Sequence, residues 1–469
     1  MLGTLFGLAL APAGRCRVLE LGCGDGANLL SMAQTRPQSS FVGVDASAAA
    51  IARGSELAEA AALTNAELRI AQLEALPADL GGFDYIVSHG VYSWISPGAR
   101  GALLACCGER LGPHGIAYVS YNAYPGSHLR DMTREILRYH VRDITDPGAR
   151  LEQAHRLMQT IVAIEEPSPY ARALREQMER MLNYSDALLF HDDLAEISTP
   201  FYFHELVEHA AVRGLQFLSE ADLSESRMEG VPASAGALFE AIADDPLARE
   251  QYMDFFKNRM FRRTLLCRAQ APVRRAIEDV HLERFAVSSS ARPEPQGESA
   301  ELETFVTPEG YSVSTSESLV LAALHALASC WPEALEFPEL LERSLDAIDA
   351  PAELAAARLR AVMLEAYIAR VVDLRSTAPP VSADAGERPR ASPLARAQRA
   401  AGLSAVSSLL HVNARLEGDL EPRVLALLDG TRDRRALSDA LSAQTGGAPE
   451  PADLEAALVR FASLGLLQR

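Results

Sequence analysis

The stretch Arg17-Val18-Leu19-Glu20-Leu21-Gly22-Cys23-Gly24-Asp25-Gly26-Ala27-Asn28 decides the fold. Val18 to Leu21 reads as a short buried strand, and glycines at alternate positions make a tight turn before a helical run from Asn28 to Ala33. A turn without Cβ atoms also lets a ligand approach the backbone. Roughly twenty residues further on, the apolar strand Phe41-Val42-Gly43-Val44-Asp45 ends in a carboxylate placed to accept from both hydroxyls of a ribose. The spacing then chooses the ligand. Nicotinamide dinucleotides favour G-x-G-x-x-G, whereas this loop is G-x-G-x-G with Glu20 two residues before its first glycine. With no pyrophosphate to hold, the loop need wrap only an adenosine and an amino-acid tail. An ordinary turn is the plain alternative, but strand, acid and downstream pattern together point to S-adenosylmethionine.

A chain of 469 residues exceeds one ordinary domain, so two to four are expected. A hydrophobic content of 48% supplies ample core. The net charge of −19 argues against a nucleic-acid partner, because phosphate binding wants a basic face. Cys16, Cys23, Cys106, Cys107, Cys267 and Cys330 form no C-x-x-C and no regular framework, which reads as reduced thiols in a cytoplasmic protein. Lys257 is the only lysine; compositional bias explains this most simply, and protection from self-methylation is the sharper alternative. Met1 to Ala13 is apolar but lacks a basic leader and is broken by Gly3 and Gly7, so a signal peptide is rejected. No apolar run is long enough to span a bilayer, and no membrane insertion is expected.

From Arg15 to Tyr124, strand and helix signals alternate as in a parallel sheet covered on both faces. A helix is expected over Ser47–Leu63, strands at Glu67–Ile70, Phe83–Ser88 and Ile116–Tyr121, a helix over Pro97–Leu111, and a turn at Gly112–Gly115. Ligands of such sheets sit outside the carboxyl ends of the strands. Those ends carry Gly22–Gly26, Asp45, Gln72, His89–Trp94 and Tyr121–Gly126. From His128 to about Val280 the pattern is helical. Ser288–Glu301 and Ser376–Pro393 read as polar linkers around a helical segment, and the last unit, from Leu394, suits a small winged-helix-like domain.

His204 and His209 are five residues apart, not four, so they cannot share a metal as H-E-x-x-H does, and no metal site is expected. Cys106-Cys107 and Tyr85 read as core. Tyr92, Trp94, Tyr121 and Tyr124 fall in expected loops at the mouth, where aromatic faces would attract a sulfonium or a substituted ammonium.

These motifs resemble the class I methyltransferases that carry a methyltransferase regulatory domain. The likeness rests on Glu20–Gly26, Asp45, Phe83–Ile86, His89–Trp94 and Tyr121–Gly126. It continues through His191–Leu194, Pro200–Glu205, Asn258–Cys267 and, more loosely, Leu428–Asp433. Resemblance to bacterial protein lysine methyltransferases of this group implies a Rossmann-like catalytic domain, a mainly helical middle region and a helical or winged-helix-like C-terminal region. The corresponding segments are 1–127, 128–287, 303–375 and 394–469. It also implies S-adenosylmethionine as cofactor, a protein or peptide substrate presenting lysine, and a possible homodimer. Two features depart from the family. Its longer N-terminal segment, which helps close over the cofactor, is not seen here, through a misplaced start or a more open pocket. Gln72 also stands where an aspartate usually accepts from the adenine amino group.

The expected cofactor-binding residues are Glu20, Gly22, Cys23, Gly24, Gly26, Asn28, Asp45, Ala46, Gln72, Leu73 and His89, with Glu20 on the methionine amino group and Asp45 on the ribose. The expected catalytic mouth comprises Tyr92, Trp94, Tyr121, Asn122 and Tyr124. A small-molecule O- or N-methyltransferase and a non-catalytic nucleoside-binding protein are the alternatives. Strand four ends in Ser88-His89-Gly90-Val91 rather than the Asn/Asp-Pro-Pro-aromatic turn of enzymes that methylate nucleic-acid amines.

Overall fold

The computed structural model describes residues 1–295, 302–346, 351–445 and 447–469. Its centre is a seven-stranded sheet: β1 (Arg17–Leu21), β2 (Ser40–Asp45), β3 (Ala66–Ile70), β4 (Phe83–Ser88), β5 (Leu111–Asn122), β6 (Leu215–Glu220) and β7 (Phe261–Arg268). The spatial order is β3-β2-β1-β4-β5-β7-β6. The first five strands run parallel, and β7 is antiparallel to both β5 and β6. β1 is buried along Val18–Leu21, as a parallel strand covered on both faces must be. Chain order reverses beside β1, between β2 and β4, which opens a crevice at the carboxyl ends of those strands.

Local chemistry fixes the helices that frame this crevice. Ser47 Oγ accepts from the Ala50 N–H at 3.2 Å and starts helix Ala48–Ala60. Ser96 Oγ does the same for Ala99 at 3.1 Å, with Pro97 in the first turn, to start Pro97–Arg110. The turn expected at Gly112–Gly115 is instead the irregular start of β5, where a register shift opposite Phe83 and Tyr85 absorbs the glycines.

The middle region is mainly helical, as expected, but it also supplies β6 and β7. Helices Ser127–His140, Pro147–Val162 and Pro169–Leu182 pack round a core of their own that includes Leu137, Met158 and Met178. The chain then returns to the sheet. β7 is held through Arg262, which is fully buried against Glu220 at 2.6 Å, Glu250 at 2.9 Å and Asp254 at 2.9 Å, with its guanidinium 4.0 Å from the Phe203 ring centre. Burial pushes the Asp254 carboxyl up to about 6 against the pull of Arg262 and Arg259.

The segment around helices Ser318–Cys330, Phe337–Leu345 and Ala352–Ile368 shares one core with Leu2, Leu5, Phe6 and Leu8 and with Ile116 and Leu265 of the sheet. Residues 296–301 of the expected first linker and 347–350 of the expected helix lie outside the described residues. The second expected linker is not free-standing. Val381 and Ala391 are fully buried, and bridges join Val381 to Gln468, Ala391 to Leu467 and Arg390 to Asp429. Thus Ser376–Pro393 threads into the last unit, which also holds helices Pro393–Ala400, Leu420–Leu427, Arg434–Thr445 and Pro451–Ser463 and a short hairpin, Ala405–Ser407 with Asn413–Arg415. No helix among the described residues is long and apolar enough to cross a membrane.

Candidate functional site

A cavity of about 480 Å³ opens at the carboxyl ends of β1, β2, β3 and β4, lined among others by Gly22, Asp45, Ala46, Gln72, Leu73 and Trp94. The loop after β1 is pinned by its own backbone: the Gly22 and Cys23 N–H groups donate to the Val44 carbonyl at 2.8 and 3.1 Å. Gly22 has φ +72°, and a Cβ there would lie 2.5 Å from a Val91 methyl, so the loop after β4 rests directly on the glycine turn. Gly24 has φ +57°, and a Cβ there would meet nothing within 4 Å, which leaves a cradle for a ligand. The Gly26 turn leads into helix Ala27–Thr35.

Glu20 is only 4% exposed. Its Oε1 accepts from Asn28 Nδ2 at 2.9 Å, while Oε2 has no hydrogen-bond partner. Burial pushes this carboxyl up to about 7, only partly offset by the hydrogen bonds from Asn28 and the Leu29 backbone. A buried acceptor left without a donor is costly and fits a ligand ammonium. Asp45 Oδ2 accepts from the Gly24 N–H at 2.9 Å and Oδ1 from the Ser47 N–H at 2.8 Å. Both oxygens are thereby aimed, and each keeps a lone pair for a ribose hydroxyl. Burial, then Glu20 and Asp45, push the Cys23 thiol up to about 12, so it is neutral rather than a nucleophile, and its sulfur packs over Gly43. The orphaned Glu20 oxygen, the Gly24 cradle and the Asp45 carboxylate fit S-adenosylmethionine.

The aromatic residues fall into three places. Trp94 lines the cofactor cavity, with the Arg134 guanidinium 5.7 Å from its ring centre. Tyr92 and Tyr121, expected in loops at the mouth, are instead core residues at 0% and 1% exposure. Tyr92 turns inward in the short helix Tyr92–Trp94, against Phe201 and with its hydroxyl 2.9 Å from His209 Nδ1. Tyr121 lies on the face of β5 opposite Ser120 and Asn122, and its hydroxyl has no hydrogen-bond partner. Strand β5 runs one residue past its expected end, to Asn122, so Tyr121 stays within the sheet instead of entering a loop. Tyr124 stays at the rim: its hydroxyl donates to Asp131 at 2.7 Å, and its ring stacks on His128 at 4.1 Å and lies 5.3 Å from Tyr202. The Asn122 backbone is tied by an N–H donated to Ser93 Oγ at 2.9 Å and a carbonyl accepting from Phe201.

His89 does not line the cofactor cavity; its neighbours Gly90 and Val91 do. Its ring faces Tyr118 and Phe261 on the other side of the loop. Sequence reasoning missed Val91, Ile95 and Ser96 in the cavity, although they lie within or just after the stretch His89–Trp94. It also missed Phe261 and Arg263, which reach the site only through the pairing of β7 with β5 and leave no local signal. His204 and His209 are separated as expected, the former on Gln251 at 2.9 Å and the latter on Tyr92.

Comparisons with known proteins agree with this geometry. Residues 18–115 match a methyltransferase domain, 185–268 the "predicted methyltransferase regulatory domain", and 387–447 the "PKMT, C-terminal winged helix domain". The regulatory-domain match therefore contains β6 and β7 of the sheet. The chain is similar to the uncharacterized protein RP028 of Rickettsia prowazekii, with 36% identity over 46% of this chain and 88% of that one. It is 34% identical to RP789 of the same organism over 62% of this chain, and it spans about half (53%) of that relative's length. The structure of PKMT2 from Rickettsia typhi in complex with AdoHcy is similar over 99% of this chain and 96% of that one, at TM-score 0.87 and 28% identity.

Proposed function

We infer the function from the premise that this chain belongs to the class I methyltransferases that carry a methyltransferase regulatory domain, with S-adenosylmethionine as cofactor. We propose that its acceptor is the side-chain amine of lysine in another polypeptide. The likeness to PKMT2, a protein lysine methyltransferase by its designation, carries this reading because it spans helical regions and C-terminal unit as well as sheet.

In this reading Glu20 accepts from the methionine ammonium, Asp45 from the ribose hydroxyls, and the Gln72 amide carbonyl from the adenine amino group. Gly22, Cys23, Gly24, Gly26, Ala46, Leu73 and Trp94 shape the walls, and Asn28 holds Glu20. When bound, S-adenosylmethionine supplies a methyl group on a positively charged sulfur. The chain's own task on the other side is to present a neutral amine. Lysine titrates near ~10.4, so at pH ~7 fewer than about one amine in a thousand is neutral. Asn122 and Tyr124 remain as candidates for the acceptor side. Tyr92 and Tyr121 act from behind, by packing the floor on which these residues stand.

Intact-mass measurement of candidate proteins, peptides and small molecules after incubation with labelled cofactor tests the proposal. Additions of about 14 Da per methyl on a protein lysine are expected; label appearing only on a small molecule refutes it.

A further inference from the structure

We propose that His89 takes the proton from the acceptor amine, an inference that rests on the lysine reading above. His89 is the first residue after β4 and stands at the carboxyl edge of the sheet, one residue from the wall of the cofactor cavity. Because the loop after β4 rests on the glycine turn through Val91 and Gly22, the imidazole is anchored to the cofactor loop itself. The ring is also held in orientation. Its Nδ1 lies 3.0 Å from the Tyr118 hydroxyl and 3.1 Å from Ser120 Oγ, and that Oγ accepts from the Gly90 N–H at 2.7 Å. Tyr118 and Phe261 contact the ring at 5.8 and 6.2 Å between centres. Nothing among the described residues bonds to Nε2, and the residue is exposed.

The proposal requires one tautomer, which both hydroxyls can accommodate because each can accept from the ring. With Nδ1 carrying the proton and donating towards the two oxygens, Nε2 is left as a bare acceptor facing outward. The titratable and charged groups around the ring are Tyr118 on β5 and Arg263 on β7. Partial burial of the ring against Tyr118 and Phe261, and then the Arg263 charge, hold the imidazole below its ordinary range, so it is neutral near pH ~7 and able to accept. Arg263 is itself paired with Asp222 at 3.2 Å. In the step itself an ammonium N–H bond breaks, its electron pair stays on the substrate nitrogen, and a new N–H bond forms at Nε2. The resulting imidazolium then returns the proton to solvent. His89 is thus reassigned from the cofactor to the acceptor.

Two readouts test this. In the wild-type protein, nitrogen-15 shifts of the His89 ring, identified by their loss in His89→Asn, are expected to report the Nδ1–H tautomer; the Nε2–H tautomer would overturn the proposal. In single-turnover assays with labelled cofactor and poly-L-lysine as acceptor, His89→Ala is expected to slow transfer by about a hundredfold or more. Calorimetric affinity for S-adenosylmethionine should stay within about twofold, and added imidazole should restore part of the rate. An active wild type with an equally active His89→Ala overturns the proposal alone. So does a variant whose lost rate is matched by lost cofactor affinity, or one that imidazole leaves unchanged. A wild type that transfers methyl to a small molecule but not to poly-L-lysine overturns the lysine reading and this inference with it.

Discussion

Cofactor affinity should depend steeply on pH because of one buried carboxyl. In the ligand-free protein Glu20 holds its proton up to about pH 7, since burial penalises the charge and Asn28 offsets only part of that penalty. In the proposed reading its unpaired Oε2 takes the ligand ammonium, and pairing demands the carboxylate. Below pH ~7 the proton must leave on binding, so affinity falls by about tenfold per pH unit there. Between pH ~5 and ~7 the predicted gain is roughly fiftyfold, or about 2.3 kcal/mol. Above pH ~8 the ligand loses its own ammonium proton, and affinity should fall again. Titration calorimetry in buffers of different ionisation enthalpy measures affinity and proton release together. Glu20→Gln should bind more weakly at pH ~7.5 and flatten the acid limb. Affinity independent of pH between ~5 and ~7, or an unchanged slope in Glu20→Gln, would refute the reasoning. The same shift has the opposite sign for folding. A raised acid pKa favours the folded state at low pH and costs stability on the order of 3 kcal/mol as pH rises from ~4.5 through ~7. Ligand-free Glu20→Gln should therefore melt higher than wild type above pH ~7.

Asp45→Ala should weaken S-adenosylmethionine binding by at least roughly tenfold through loss of charge-assisted hydrogen bonds, and calorimetry showing equal affinity would remove Asp45 from the site. Gly24→Ala should cost about 1–2 kcal/mol of stability from its left-handed backbone and weaken the cofactor roughly tenfold by filling the cradle. Gly22→Ala should instead show up first as a lower melting temperature, because its Cβ meets Val91. Arg262→Met should lower unfolding free energy by about 3–5 kcal/mol in urea titrations at pH ~7.5, because it strands three buried acids. The loss should shrink below pH ~6 as Asp254 takes a proton, and a pH-independent loss would contradict the charge argument.

What was legible in the sequence was local. The glycine turn, Glu20 and Asp45 lie within one strand-helix-strand unit, so their spacing alone brings them together. Trp94 and Gln72 were reachable because strand ends in a parallel sheet point to one edge. The failures are non-local. Whether Tyr121 faces the site or the core depends on the parity of β5, and that is set by Phe201 and helix Phe203–Ala211, which cover one face of the strand from more than seventy residues away. Phe261 joins His89 only through β7, and the charged residues around β7 read as a helical surface because Arg262 and its acids are buried as a set. Ser376–Pro393 has the composition of a linker, but Val381 and Ala391 are enough to draw it into a core.

The order in which the sheet is made differs from the order in which it is arranged. β5 leaves the ribosome with one side unpaired, and its final neighbour β7 follows about 140 residues later, a delay of roughly 7–28 s at typical elongation rates. During that interval an apolar strand edge is open to pairing with other chains. A fragment ending at residue 127 would keep that edge for good, so it should aggregate on expression, whereas one ending after Arg268 would close it. Chaperone capture of nascent chains should accordingly peak between these two lengths.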